Sequence, residues 1–516
     1  AVTATIGCAL IAAGRRPRAA GVGAAAALVL GALDPAGVLH PGFLLSIAAT
    51  AAIVSARSEG GWLRQAFVLS ARTMVATAPL VLWWFGRVPL VGLLANVLLV
   101  PVASLLLVPG AVLHAFAATV LPPLGACTGP PFALAARAFV TACGVMATVP
   151  WGQDLPPPDL VQGLLLATGA ALLLVLRPWR LRMAVALIVA MALGGAEMWL
   201  RHRERPTGEV RATFLDVGQG DAALVDLPDG RAMLVDAGGA IRGRDPGAHV
   251  LAPLLAARRR THIDVAVVTH ADPDHLGGLA AVLDHVSVGR IWANRQAEVE
   301  DPDGPATALL DRARARGIPV AYPESLCGHE HRFGEARVEV LAPCPAYDPG
   351  HDPNDNSLVL RLSFGRHAFL FAGDLEARGE GRLLGAAPPA DLRADVLKVP
   401  HHGSTTSSTR AFLEAVRPRV GVVSAGARNQ FGHPAPAVVR RYEEHDAFLA
   451  RTDAMGGVVV TTDGHALRLR TWRGDVWPAQ PQPESSSSAS AWASAPSGPD
   501  RTQSTDTPAK PASRSK

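Results

Sequence analysis

The run DVAVVTHADPDHLGGL, residues 264 to 279, places His270, Asp272, Asp274 and His275 within six consecutive positions. Imidazole nitrogens and carboxylate oxygens are ligands for divalent cations. Two of each can hold a pair of ions that lower the pKa of a bridging water and clamp a phosphoryl oxygen. A lone His-x-Asp is more often a solvated turn, but here four such groups close an apolar strand. The positioning element reads from the same stretch. Val265 to Thr269 is an apolar, β-branched run expected as a buried strand. Alternate residues at its end, His270, Asp272 and Asp274, point to one side, and Gly277 and Gly278 allow a tight turn after His275.

The carboxyl half repeats the device of a strand ending in a ligand. HAFLFAGDLE terminates at Gly373 and Asp374, and ADVLKVPHHGS in His401, His402, Gly403 and Ser404, while VGVVSAG is followed by FGHP with His433. Upstream, VRATFLDVGQGDAALVDLPDGRAMLVDAGG reads as strand, turn, strand, hairpin at Pro228 to Gly230, strand, and a loop at Gly238 and Gly239. A helix is expected from about 247 to 260, and HLGGLAAVLDHV has helical apolar spacing. This alternation fits a layered α/β domain with chemistry at its strand ends. GQGDA, residues 218 to 222, could cradle a phosphate with its backbone, although a tight strand connection explains it equally.

Over 516 residues, 49% are hydrophobic and 18% charged, which is too apolar for an ordinary soluble enzyme. The mean hydropathy of +0.22 hides a division: residues 1 to 200 are almost continuously apolar and the rest has normal polarity. The net charge of +4 tolerates a polyanionic partner without demanding one. Of five cysteines, Cys8, Cys127 and Cys143 fall in apolar segments and are expected to pack as small hydrophobes. Cys327 and Cys344 could pair if their domain faces an oxidising compartment. The chain begins without Met inside an apolar run and is expected to be the carboxyl-terminal portion of a longer polypeptide.

A membrane span takes about 20 apolar residues. Candidates lie near 1 to 13, 20 to 33, 40 to 55, 66 to 86, 88 to 121 (one long or two short), 131 to 150, 160 to 176 and 182 to 200, giving about seven to nine passes. Pro79, Pro89, Asn96, Pro101, Pro109 and His114 interrupt this region. Asn96 and His114 are the candidates for a wet pathway, against ordinary kinked packing or a single interhelical hydrogen bond. Arg15, Arg16 and Arg18, then Arg57 and Arg64, then Arg177, Arg180 and Arg182 place their loops in the cytoplasm. The last span would then deliver residue 201 onward to the outer side, against which Arg201, Arg203 and Arg205 argue. After residue 474 the Ser/Pro-rich sequence cannot bury a core and is expected to be disordered.

Together, His270, Asp272, Asp274, His275, Asp374 and His401 or His402 resemble the metallo-β-lactamase superfamily over residues 210 to 473. The resemblance implies an αββα sandwich with two metals at one edge. His270 and Asp272 would hold the first and Asp274 and His275 the second, with Asp374 bridging and His401 completing the second site. The superfamily usually has His where this chain has Asp272. A histidine expected before Asp374 is also missing, and only Asn354, Asp355, Asn356 and Ser357 lie nearby. Both changes trade nitrogen for oxygen, favouring manganese or magnesium over zinc, or they leave the first site weak or empty.

The finer resemblance is to the ComEC-type competence proteins. FLDVGQGDA, THADPDHLGGL, NDNSLVLRL, FAGDLE, ADVLKVPHHGS, GHP and RTDAMGG resemble that family's lactamase-like domain. GFLLSIAATAAIV and FGRVPLVGLLANVLLVP resemble its membrane competence region. The implied organisation is a polytopic channel over 1 to 200, a linker over 201 to 209, the lactamase-like domain over 210 to 473 and a tail over 474 to 516. The implied location is the cytoplasmic membrane, with the lactamase-like domain outside. The implied function is passage of single-stranded DNA into the cell during natural transformation, with metal-dependent hydrolysis of the other strand. Membrane lipid, a DNA receptor and a cytoplasmic DNA motor would be its partners. Asp274, His402, Lys398 and Ser404 would act at the reacting phosphate, with Asp221 orienting a metal-bound histidine and Asn354, Asn356 and His433 near the edge. The rivals are a catalytically inactive module that guides DNA, and a membrane-tethered hydrolase of a thioester, lactone or RNA. The fused membrane region disfavours the second.

Overall fold

In the computed structural model the described residues are 19–56, 60–88, 90–148, 155–239, 245–474 and 476–477. The expected span over 1 to 13, Cys8, Arg15, Arg16, Arg18, Arg57 and Pro89, and residues 475 and 478 to 516 of the tail expected over 474 to 516, lie outside them.

Up to residue 204 the apolar runs form helices: Ala19–Leu33, Pro41–Val54, Trp62–Phe85, Val91–Val120, Pro122–Ala147, Leu160–Val175 and Trp179–Glu204. Four of these, from Trp62, Val91, Pro122 and Trp179, are long and apolar enough to cross a bilayer, and their most apolar windows are at most 11% buried within the chain. Ala19–Leu33, Pro41–Val54 and Leu160–Val175 have 15, 14 and 16 residues, short of the span requirement. Of the expected spans, seven fall on apolar helices among the described residues, and four of these helices are long enough to cross by themselves. Asp34, whose carboxylate accepts from Gly37 N, breaks the first run, and His40 caps the next helix, which begins at Pro41.

The 88 to 121 stretch resolves as one helix, in which a π turn at Ala103–Leu107 lies between Pro101 and Pro109. His114 Nδ1 lies 2.8 Å from Thr128 Oγ1 on the neighbouring helix, and its ring stacks on Phe132 at 5.9 Å. A single interhelical hydrogen bond therefore accounts for it. Asn96 is exposed on the same helix as His114, and Cys127 is exposed rather than packed.

From residue 210 the strands are β1 Val210–Phe214, β2 Ala223–Asp226, β3 Ala232–Val235, β4 His262–Ile263, β5 Val265–Val268, β6 Ser287–Val288, β7 Ile291–Ala293, β8 Val320–Ala321 and β9 Glu330–Phe333. They continue as β10 Ala336–Ala342, β11 Val359–Phe364, β12 His367–Phe371, β13 Val396–Lys398, β14 Val420–Val423, β15 Phe448–Arg451, β16 Val458–Thr462, β17 Leu467–Thr471 and β18 Val476–Trp477. One sheet has the order β18-β17-β16-β1-β2-β3-β5-β7-β8 and the other β15-β14-β13-β12-β11-β10-β9, while β4 and β6 form a small pair. Each large sheet is antiparallel in one part and parallel in the other: β3, β5, β7 and β8 are parallel, as are β12 to β15.

Strand alternation explains the layers. Val265 and Val267 of β5 face the core between the sheets, with Phe214, Phe369, Phe371, Val396 and Val420. Ala266 and Val268 face outward onto Leu255, Val282 and Leu310 of flanking helices. On the other sheet Leu397 and Val423 face outward onto Leu383, Phe412 and Tyr442. Both faces are covered, which is why these strands read as unbroken apolar runs rather than alternating ones. The result is the helix, sheet, sheet, helix sandwich expected. Cys327 and Cys344 are joined by a disulfide, with Cα atoms 5.8 Å apart.

The triplet Arg258, Arg259 and Arg260 joins the sheets to the membrane helices. Asp226 is fully buried and accepts from Arg211 Nε at 2.8 Å, Arg258 at 3.2 Å and Arg260 at 2.7 Å. Arg259, in the left-handed region at φ 54°, turns the other way. Its Nε donates to Glu197 Oε2 at 3.0 Å, and its guanidinium also donates to Pro157 O and Gln162 Oε1, each at 3.1 Å. Replacing Arg259 by Met should cost about 2–3 kcal/mol, somewhat less than a fully buried pair because Glu197 keeps some solvent. Thermal unfolding of the whole chain in detergent checks this, and an unchanged midpoint would remove Arg259 from the joint.

Candidate metal centre

The ligand-bearing turns all lie at one edge of the sandwich, where β3, β5, β12 and β13 end. Gly373, at φ 51°, is pressed against Ser357, and an added Cβ would come within 2.7 Å of that side chain. Ser357 Oγ accepts from Asp374 N at 3.1 Å, which fixes the residue after the glycine. Gly220, at φ 128°, packs so closely that a Cβ would sit 2.3 Å from Asp274 O. Asp221 N then donates to Asp274 O at 3.0 Å. GQGDA is therefore a brace for the metal-ligand loop.

Asp274, His275, Asp374 and His402 bring ligand atoms within 4.8 Å of one another. His275 Nε2 lies 3.2 Å from Asp374 Oδ1, and His402 Nε2 lies 3.3 Å from Asp274 Oδ2 and 3.4 Å from Asp374 Oδ2. His275, His402 and Asp374 are all buried. Buried polar atoms are normally paired. Yet His270 Nε2, His275 Nε2, His402 Nε2 and Asp374 Oδ1 have no hydrogen-bond partner. A divalent cation would satisfy this inward-facing set, so the residues fit one.

The outer nitrogens explain how the inner ones are aimed. His275 Nδ1 lies 2.9 Å from Asp236 Oδ2, and that carboxylate also accepts from Thr269 N and Thr269 Oγ1, both at 2.8 Å. His402 Nδ1 lies 2.9 Å from Ser424 O and 3.2 Å from Asp221 Oδ1. With an ion bound, each imidazole would keep its proton outward and offer its Nε2 lone pair to the centre. Burial disfavours the charged form of His275, but Asp374 and Asp236 outweigh it and raise the pKa well above the usual imidazole value. Asp374 and Asp221 do the same for His402. Burial and the neighbouring His275 instead lower His270 to about 4.

Several expected roles are moved by this geometry. Of the two histidines named for the cluster, His402 rather than His401 brings its ring nitrogen to it. His401 Nε2 stays 3.8 Å from Asp374 Oδ2, and its Nδ1 pairs with Glu376 Oε1 at 3.0 Å. The reason is two consecutive left-handed residues, φ 47° and 52°, which turn His402 inward. Lys398, expected at a phosphate, is buried behind the site with Nζ 2.5 Å from Asp221 Oδ2. Ser404 Oγ lies 2.9 Å from Thr406 Oγ1 instead of facing the cluster. His270 is buried beside His275, ring centroids 4.0 Å apart, but Asp272 is 44% exposed and 3.8 Å from His270 Nε2. Asn356 donates to the carbonyls of Asp348, His351 and Asp352, Ser357 Oγ donates to Asn354 O, and Asp355 accepts from Glu376 N and Gly379 N. These residues hold loops. His433 is at the rim, its ring 6.0 Å from that of His401. Asp236 and Glu376 went unnoticed in the sequence, although LVDAGG offers the same strand-then-Asp-then-Gly signal as the recognised turns.

The family described as "Metallo-beta-lactamase superfamily" matches residues 215–427, and the one described as "Competence protein" matches residues 1–181. ComE operon protein 3 of Bacillus subtilis (strain 168) is 33% identical over 264 residues, covering 49% of this chain and 33% of that protein. Competence protein ComA of Neisseria gonorrhoeae is 32% identical over 445 residues, covering 82% of this chain and 56% of that protein. The chain therefore spans a third to somewhat over half the length of these curated relatives. A solved diphosphatase of the PhnP family overlaps 49% of this chain and 98% of its own at 15% identity, with a TM-score of 0.30. With a competence domain, long apolar helices and a metallo-β-lactamase domain in that order, and homologues among competence proteins, the chain is a membrane protein of the ComEC-type competence family.

Proposed function

We propose that the helical region, residues 1 to 200, passes single-stranded DNA across the cytoplasmic membrane, and that the sheet domain, residues 210 to 473, hydrolyses phosphodiesters of the strand that does not enter. The observation that carries the second half is the buried set of partnerless atoms on His270, His275, His402 and Asp374. Divalent ions bound there would supply an acidified water and neutralise developing phosphate charge. Asp274, His275, Asp374 and His402 form the fuller of the two expected sites, and His270 with Asp272 the sparser one. The oxygen-rich set favours manganese or magnesium, with zinc also compatible.

The chain's own residues do the rest. Asp236 and Asp221 orient the two histidines. His401, held by Glu376 and 23% exposed, stands where a proton can be passed to the departing oxygen. The disulfide Cys327–Cys344 supports an extracytoplasmic sheet domain, since disulfides persist in oxidising compartments. That placement calls for a DNA receptor outside and a DNA motor inside, with lipid around the helices. The exposure of Asp272 favours one rival, a sheet domain that binds and guides DNA without cutting it.

The full chain in detergent, given labelled single- and double-stranded DNA with manganese, magnesium or zinc, is expected to cleave DNA in a metal-dependent way. The Asp274→Ala, His275→Ala double variant should abolish this. DNA binding without cleavage under any ion would transfer the sheet domain's role to guiding.

A further inference from the structure

The loop after β14, residues 426 to 433 (GARNQFGH), carries an aromatic ring, that of Phe431. Asn429 ties the loop closed: its Nδ2 donates to Gly426 O at 2.9 Å and to His433 O at 2.7 Å, and its Oδ1 accepts from His433 N at 2.9 Å. Gly426 N also donates to Gln219 Oε1 at 3.4 Å, so the loop leans on the GQGDA turn that braces the metal-ligand loop. On this pinned loop Phe431 is 57% exposed. From residue 205 onward the exposed large apolar side chains among the described residues are Val299, Phe431 and Trp472. Phe431 is the one tied to the catalytic edge.

One face of Phe431 is taken. Its ring lies 5.7 Å from that of His433 and nearly parallel, at 12°, and His433 lies 6.0 Å from His401. A row of rings thus leads from the rim into the centre. Phe431 also lines a cavity of about 650 Å³ with Gln219, His249 and the exposed Arg428, and with Asp216 and Asp245 on its other walls. That volume is in the range of small-ligand sites, about 300–1,000 Å³. A flat apolar face, a cation and an adjoining phosphoester centre match the parts of a nucleotide.

We propose that Phe431, backed by His433, stacks on an unpaired nucleobase next to the phosphate at the metal centre. Duplex DNA keeps its base faces covered, so the platform selects single strands or frayed ends, and it tolerates any base because every base has a π face. The proposal rests on the reading that this edge handles DNA and adds how the strand is held there.

The test is binding of a short labelled single-stranded oligonucleotide to the full chain in detergent and chelator, where cleavage does not intervene. Phe431→Ala is expected to weaken binding about 5- to 100-fold, and Phe431→Trp to restore it. An oligonucleotide with abasic positions should bind wild type more weakly but lose nothing further in the Phe431→Ala variant. Unchanged affinity in that variant, or the same abasic penalty in both proteins, overturns the proposal. Phe431-dependent binding with no cleavage under any ion would sink the hydrolytic reading and leave the stacking site standing.

Discussion

Replacing Asp374 by Asn is expected to abolish divalent-ion binding at the proposed centre and to slow the proposed phosphodiester cleavage by about a thousandfold or more, since an ion contributes several kcal/mol to the transition state. Asp374 is the carboxylate that approaches three imidazoles: Oδ1 lies 3.2 Å from His275, and Oδ2 lies 3.4 Å from His402 and 3.8 Å from His401. Asparagine keeps the shape and the backbone bond to Ser357 Oγ, so the fold should survive. The variant also has a pH signature. In the metal-free chain, burial opposes charging of His275 and His402, but Asp374 and its neighbours raise both pKa values well above the usual one. A group raised in this way contributes stability that is fully present below its unfolded pKa, about 6.5, and is lost as pH rises through the folded value. Metal-free wild type should therefore become less stable as pH rises above about 6.5, whereas ion binding displaces those protons and strengthens with pH. Asp374→Asn should flatten both trends. Unfolding midpoints across pH, with chelator and with metal, together with the bound-metal content, check this. A variant that keeps its ion and its rate would remove Asp374 from the centre.

How much of this was legible follows from where the information sits along the chain. His270, Asp272, Asp274 and His275 were found because they are contiguous and close an apolar strand, and β5 was found because both of its faces are covered. Asp374 was found because a glycine precedes it at a strand end. Choosing between His401 and His402 was beyond the sequence, because identical neighbours differ only in backbone direction. The left-handed pair that decides between them is imposed by contacts with distant loops: His401 N donates to Gly373 O, and Ala435 N to Gly403 O. The partners of the outer nitrogens were equally hidden. Asp236 meets His275 across 39 positions and Asp221 meets His402 across 181, pairings set by sheet order rather than by local pattern. Lys398 was expected at the reacting phosphate and is in fact buried against Asp221, since a short strand end cannot announce which side faces the core. In the membrane region both the apolar runs and their breaks were legible: the expected 20 to 33, 40 to 55 and 160 to 176 meet the helices Ala19–Leu33, Pro41–Val54 and Leu160–Val175. Asp34 and His40 mark the break between the first two of these helices.

The largest loss of stability is expected from Asp221→Asn. Asp221 and Lys398 are each 4% exposed, with Nζ 2.5 Å from Oδ2, and Lys398 also donates to Val399 O at 2.8 Å. Neutralising the aspartate leaves a buried ammonium with only carbonyl and amide oxygens, which should cost about 3–5 kcal/mol. It also takes the carboxylate from His402 Nδ1, and loss of such a partner typically weakens metal binding by about 10- to 100-fold. The two effects separate by a second substitution. In Asp221→Asn, Lys398→Met the stranded charge is gone, so most of the stability should return while the metal affinity should not. The acid limb gives an independent reading. Burial alone would raise the Asp221 carboxyl, but Lys398 and then His402 hold it well below the usual range. Its contribution is therefore present above the unfolded pKa of about 3.9 and lost only as pH falls through the depressed folded value. The stability gap between wild type and Asp221→Asn should hold steady as pH falls toward about 5 and close only in stronger acid. If the double variant recovered metal affinity along with stability, the carboxylate would matter only as the partner of Lys398, and Ser424 O alone would suffice to aim His402.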